Sequence, residues 1–214
     1  SNNRFTLLGG MRGAAQLISY EVALGLSLIG LIMVYPSLQL SGIVHFQGEL
    51  IFGFLPKWGI FLQPLGFVVF LFASLAETKR VPFDLPEGES EIIGFFTEYG
   101  GLKWGLFMMT DFMEIIIIST LVTTLFFGGW QVPWLAADGF HFPWGGDWLL
   151  SRWLVIILQV LAFNLKVFFF CWLQILTRWT YPRFRYDQLM DLGWKLLIPL
   201  SLVNIVGTGL LMSI

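Results

Sequence analysis

Four ionisable side chains stand in runs that are otherwise apolar. They are Glu21 in ISYEVALG, Asp111 and Glu114 in LFMMTDFMEIIII, and Lys166 in LAFNLKVFFF. A charge at the centre of a bilayer costs about 2.5–3.5 kcal/mol on insertion scales, so each needs a partner or a polar path. Asp111 and Glu114 are three residues apart and share a helix face. Lys166 shares a face with Gln159, seven residues before it. Burial favours the protonated carboxyl, which suits a proton path. The plainer alternative is an ion pair within or between helices, or, for the long stem of Lys166, snorkelling to the inner surface. Neither histidine, His45 nor His141, falls in an apolar run, so a proton path here would use carboxylates, hydroxyls and water.

A second set lies between the apolar runs. Glu77–Gly101 carries Glu77, Asp84, Glu87, Glu89, Glu91 and Glu98 against Lys79 and Arg80. Asp84, then Pro86 and Glu87, reads as a helix N-cap with its capping acid. Glu87, Glu91 and Glu98 then fall near one face, with Ile92, Ile93, Phe95 and Phe96 filling much of the rest. That spacing predicts an amphipathic helix at the membrane surface, stopped at Gly100–Gly101. The acids do not match an EF-hand loop, and no metal site is expected. The last polar loop interleaves Arg178, Arg183 and Arg185 with Tyr181, Tyr186, Asp187 and Asp191. Its arginines are either an ordinary positive flank or charge partners for the acidic loop or for a neighbouring chain.

The elements that must carry these groups follow from composition. The chain of 214 residues is 57% hydrophobic, 17% aromatic and 12% charged, with mean hydropathy +0.77. Soluble domains are about 25% charged, so a soluble globular enzyme is excluded, as is disorder. A net charge of −2 gives no basic field for nucleic acid. The single cysteine, Cys171, excludes an internal disulfide, a four-cysteine zinc site and a self-held iron–sulfur cluster, so no cofactor bound by this chain is expected. The reading is an all-α polytopic membrane bundle in one domain. Five spans fit the roughly 20 residues a helix needs: Gly13–Tyr35, Trp58–Ala76, Trp104–Phe127, Trp148–Leu176 and Leu192–Met212. Arg4, Arg12, Lys79, Arg80, Lys103, Arg178, Arg183, Arg185 and Lys195 lie on one side, and only Lys57 and Arg152 on the other. This bias puts the acidic loop on the cytoplasmic side and the C-terminus outside. Ser1–Arg12 reads as a polar loop without Met or signal peptide, and further spans are expected upstream.

Long motifs carry a family resemblance: LLGGMRGAAQLISYEVALGL (Leu7–Leu26), LAETKRVPFDLPEGESEIIGFFTEY (Leu75–Tyr99), LFFGGWQVP (Leu125–Pro133) and YPRFRYDQLMDLGWK (Tyr181–Lys195). Together the chain resembles the membrane-embedded H subunits of bacterial NADH:quinone oxidoreductase, respiratory complex I, a family called subunit 1 in mitochondria. The resemblance implies the last five of eight core helices in a bacterial inner membrane. It implies a role in proton translocation, with a quinone-access chamber shared with peripheral quinone-module subunits and small membrane subunits. The redox centres would sit on other chains. It also implies a carboxylate path for coupling. Its acids would be Glu21, Glu77, Asp84, Glu87, Glu89, Glu91, Glu98 and Asp111, and its cations Arg80, Arg178, Arg183 and Arg185. The family pattern usually has Asn where Lys79 stands and Glu where Asp111 stands. Related subunits of membrane-bound hydrogenases or formate hydrogenlyases are the alternative; a stand-alone ion carrier or passive anchor is a third.

Overall fold

The computed structural model describes residues 3–51, 53–86, 88, 99–136, 138–142 and 145–213. Glu87, Glu89, Glu91 and Glu98, with the amphipathic helix expected around them, lie outside the described residues.

Helix α1 spans Arg4–Val34. It starts before the expected Gly13, because the polar stretch before Gly13 is helix rather than loop. Asn3 Oδ1 accepts from the Phe5 N–H at 3.2 Å and caps its start. At about 1.5 Å per residue this helix exceeds the roughly 30 Å hydrocarbon core. Of its buried residues, Thr6, Gly9, Gly13, Gln16, Tyr20, Ala23, Ser27 and Gly30 alternate by three and four, with Ser19 and Leu31 beside them. That 3.5-residue period defines a seam of mostly small or polar residues, while Leu7, Met11, Ile18, Val22 and Ile29 face outward. Small residues let membrane helices approach closely.

The second expected span is broken. A short α3 (Gly59–Leu62) is followed by α4 (Pro64–Glu77), and Gln63 between them is neither helical nor extended. Pro64 has no N–H to continue α3 and serves as the first residue of α4. The amide of Gln63 is tied to the last helix: its Nε2 donates to Thr208 Oγ1 at 2.7 Å, and its Oε1 accepts from Asn204 Nδ2 at 2.7 Å. Gly30 makes room for this node, since a Cβ there would meet Asn204 Nδ2 at 2.5 Å.

Helix α5 spans Leu102–Phe126 and α6 spans Arg152–Thr180. The fourth span begins at Arg152 rather than Trp148, because Trp148 belongs to a strand. After α6 come α7 (Tyr186–Asp191), one π-helical stretch Leu192–Leu197, and α8 (Ile198–Ser213), running on without a break. Among the described residues, four helical segments are long and apolar enough to cross a membrane: Arg4–Val34, Leu102–Phe126, Arg152–Thr180 and Tyr186–Ser213. The fold is an all-α polytopic bundle. Helix α1 packs on α4 and on α8, and α5 on α6.

At the end of the bundle away from the acidic loop lie a short α2 (Leu40–Gln47) and two small antiparallel sheets. One pairs β1 (Leu50–Ile51) with β2 (Leu55–Pro56). The other orders β3 (Leu135–Ala136), β4 (Gly139–Phe142) and β5 (Gly146–Leu149). These strands were not expected from the sequence.

Candidate functional site

The acidic-loop end is built by three helices and two turns. Glu77 is the last residue of α4, and it lies within Coulombic reach of Glu21 on α1 and Glu114 on α5. Asp111, one turn before Glu114, lies within reach of Arg80 and Lys79. Glu77, Asp111 and Glu114 are half-buried, and Glu21 is exposed on the surface of this chain. Among the described residues none of the four carboxylates makes a hydrogen bond or ion pair.

The turn after α4 is held rigidly. Lys79 takes a left-handed conformation, φ 51°, which lets the chain leave the helix. Gln16 Nε2, buried in the α1 seam, donates to Ala76 O at 2.8 Å and Phe83 O at 2.9 Å, spanning the turn. Phe83 lies between Tyr20 and Phe184, with ring centroids 6.1 and 5.4 Å away. The Phe184 N–H donates to Pro82 O at 3.1 Å. Arg183 Nη2 donates to Asp84 Oδ2 at 2.9 Å, so the acidic and basic loops do pair. Tyr20 Oη donates to Leu189 O at 2.8 Å and Trp194 Nε1 to Ser19 Oγ at 2.9 Å. The residues just before Glu21 are thereby fixed to the last helical segment.

Beside the acids is a cavity of about 350 Å³ between the α4 turn, α5 and α6. Leu75, Val81, Phe112, Ile115, Ile116 and Ile175 make its wall mostly apolar, and Arg80, Gln174 and Arg178 supply polar groups. The Arg80 guanidinium sits 4.7 Å from the centre of the Phe112 ring. Gln174 Nε2 donates to Ser119 Oγ at 2.9 Å, and Cys171 Sγ lies 3.3 Å from the same oxygen.

The structure therefore brings Glu77 within reach of Glu21 and Glu114, and Asp111 within reach of Glu114 but not of Glu77 or Glu21, with Arg80 and Arg178 on the adjoining cavity. It pairs Asp84 with Arg183. Arg185 is exposed at the head of α7, where its N–H donates to Gln188 Oε1 at 3.3 Å. Lys166 belongs elsewhere. It does not snorkel toward the loop end but donates to the carbonyls of Phe127, Gly129 and Gln131 at 2.8, 3.0 and 2.7 Å. Those carbonyls follow the C-terminus of α5, where a cation suits the helix dipole. Sequence reasoning passed over Gln16, Gln47, Gln63, Gln174 and Asn204. Their signal was an amide in an apolar stretch, which is expensive in lipid unless bonded.

A family model described as NADH dehydrogenase matches residues 1–209. The chain is 44% identical, over its whole length, to the NADH-quinone oxidoreductase H subunit of Bdellovibrio bacteriovorus, covering 59% of that protein. H subunits of the same oxidoreductase are 47% identical in Geobacter metallireducens, where it is the one numbered 1, and 46% identical in Anoxybacillus flavithermus; each match covers 98% of this chain and 55% and 56% of the relative. The chain belongs to the NADH dehydrogenase family of these H subunits. It spans a little over half the length of the curated relatives it matches. Of the four motifs that carry the resemblance, three include described residues that build the loop end, on α1, in the turn after α4 and in Tyr181–Lys195, and the fourth, Leu125–Pro133, lies at the opposite end.

Proposed function

We propose that this chain acts in a proton-translocating NADH:quinone oxidoreductase, forming part of the chamber that admits quinone and part of the carboxylate path coupling quinone reduction to proton movement. The observation that carries the reading is that Glu77 lies within reach of Glu21 and Glu114, without a direct partner among the described residues, beside a turn whose Thr78 and Arg80 line an apolar cavity. Arg80 lines that cavity and also acts electrostatically on Asp111 and Glu114. A change of charge in the cavity is thus felt at those two acids, and through Glu114 at Glu77 and then Glu21. In a low-dielectric interior such interactions are several-fold stronger than in water. The cavity's apolar wall suits a quinone head and its isoprenoid tail, and keeps bulk water from short-circuiting the acids. Redox chemistry is supplied by partner subunits of the complex. The positive-inside bias supports a cytoplasmic position for the cavity and the acids.

Glu21→Gln and Asp111→Asn, made in the assembled complex, test this. Both are expected to assemble normally yet to lower quinone reductase activity and proton pumping together. Wild-type turnover and pumping in both variants would refute the carboxylate path.

A further inference from the structure

Glu77, Thr78, Lys79 and Arg80 follow one another where α4 ends. Glu77 lies within reach of Glu21 and Glu114, Thr78 and Arg80 line the cavity, and Lys79 and Arg80 act electrostatically on Asp111 and Glu114. The turn's own backbone bonds are local. The Thr78 N–H donates to Ser74 O at 3.2 Å and the Lys79 N–H to Ala76 O at 3.3 Å, while the Phe83 N–H donates to Arg80 O at 2.7 Å. The start of the turn is joined to its end by the Gln16 amide of α1, whose Nε2 donates to both Ala76 O and Phe83 O. A carboxamide nitrogen has two N–H donors, and both are spent there. Turned over, the amide would set its oxygen against two carbonyls, so the hydrogen-bond network fixes this orientation. Gln16 keeps it although its Oε1, in a residue only 1% exposed, has no partner among the described residues.

We propose that Gln16 is a positioning residue for energy coupling: its amide makes the cavity wall and the Glu77 carboxylate parts of one rigid turn, held in register with α1 and Glu21. The inference rests on the carboxylate-path reading above. A carboxamide has no proton to give up near neutral pH, so Gln16 carries none itself and acts through Glu77 and Arg80. With both ends of the turn tied to one side chain, a shift of Arg80 in response to charge in the cavity carries Glu77 with it. Without the tie, Arg80 follows the cavity while Glu77 stays behind, and quinone is reduced with no matching change at the acids. Loss of Gln16 therefore uncouples the complex, whereas loss of an acid lowers both activities together.

The test uses the intact complex in liposomes, with decylubiquinone as substrate, and reads protons moved per NADH oxidised. Gln16→Met keeps the length of the side chain and removes both donors. Quinone reduction per assembled complex is expected to stay within about threefold of wild type, while protons moved per NADH fall about threefold. A residue that only supports the fold lowers the amount of assembled complex and leaves that ratio unchanged. A wild-type ratio, including one reached by an equal fall in both rates, overturns the proposal. If Gln16→Met does not assemble, Gln16→Asn decides: one methylene shorter, it keeps a donor for one of the two carbonyls. A lowered ratio is expected there as well, and a wild-type ratio overturns the proposal. If neither variant assembles, Gln16 is structural alone and the proposal falls. A wild-type ratio in the Gln16 variants beside impaired Glu21→Gln and Asp111→Asn variants leaves the carboxylate path standing; wild-type pumping in those two acid variants sinks the path itself.

Discussion

The two ends of the bundle partner their charged groups in different ways. At the end carrying the small sheets, the C-terminus of α5 is capped to saturation. Gln47 Nε2 donates to Thr124 O at 3.1 Å and Leu125 O at 3.0 Å, while its Oε1 accepts from the Gly128 N–H at 2.6 Å. Tyr35 Oη donates to Leu125 O at 3.1 Å, and the Lys166 ammonium fills three more carbonyls and sits 4.8 Å from the Trp58 ring. Gly128 and Gly129 turn the chain through left-handed conformations, φ 73° and 53°, in a space that side chains of Trp58 and Val44 close to any Cβ. At the acidic-loop end, four carboxylates lie close together with no direct partner among the described residues. The capped end is a fastening, although the Trp58 Nε1–H there has no partner among the described residues, and the loop end keeps carboxylates without direct partners among them. An acid locked in a salt bridge cannot hand on a proton; an acid facing other acids can.

Four substitutions break or sharpen this contrast. Lys166→Met leaves three carbonyls and a helix terminus without a cation. It is expected to cost about 3 kcal/mol or more, read as loss of assembled complex and a lower Tm. Arg183→Ala opens the Asp84 pair, which is half-buried on the arginine side; a loss of about 2 kcal/mol in thermal stability is expected, with slower turnover following from a looser turn. Glu77→Gln should do the reverse: coupled quinone reduction falls about tenfold, equivalent to roughly 1.4 kcal/mol in barrier, while Tm stays within about 2 °C. If Glu77→Gln melts the complex as Lys166→Met does, the contrast between the ends is wrong. Smallest is Lys79→Asn, since Asn tolerates the left-handed conformation better; thermal unfolding should shift upward by about 0.5–1 kcal/mol.

Much of this was legible in the residues. Sustained apolar runs marked out five spans, four of which are long helices and one of which is broken, and opposite charge on two loops of one side offered pairing between them as one alternative, which Asp84 and Arg183 realise. The break at Gln63 was also written in LQPLG, where a proline interrupts a helical run, yet the surrounding hydropathy hid it. The early start of α1 was obscured by Arg4 and Arg12, which a helix longer than the bilayer can carry at its end. The saturated cap was not legible, because Gln47, Phe127 and Lys166 come from separate stretches and meet only through packing. For Lys166 the carbonyl partners could not be guessed, since backbone acceptors leave no trace in side-chain identity. The family likeness named Glu21, Glu77 and Asp111 as acids of one path; Glu77 lies within reach of Glu21, while Glu114, on the helix face it shares with Asp111, supplies the contact to α5.

The π-helical stretch Leu192–Leu197 sets the phase of everything after it. A π turn amounts to one residue slipped into an α-helix, and each residue turns the helix by about 100°. Leu189, before the stretch, is anchored to Tyr20; Asn204 and Thr208, after it, grip Gln63 at the break in the second span. Deleting a single codon within Leu192–Leu197 would therefore act like turning a camshaft by one tooth: the near end stays engaged, and both amide-gripping residues swing out of mesh.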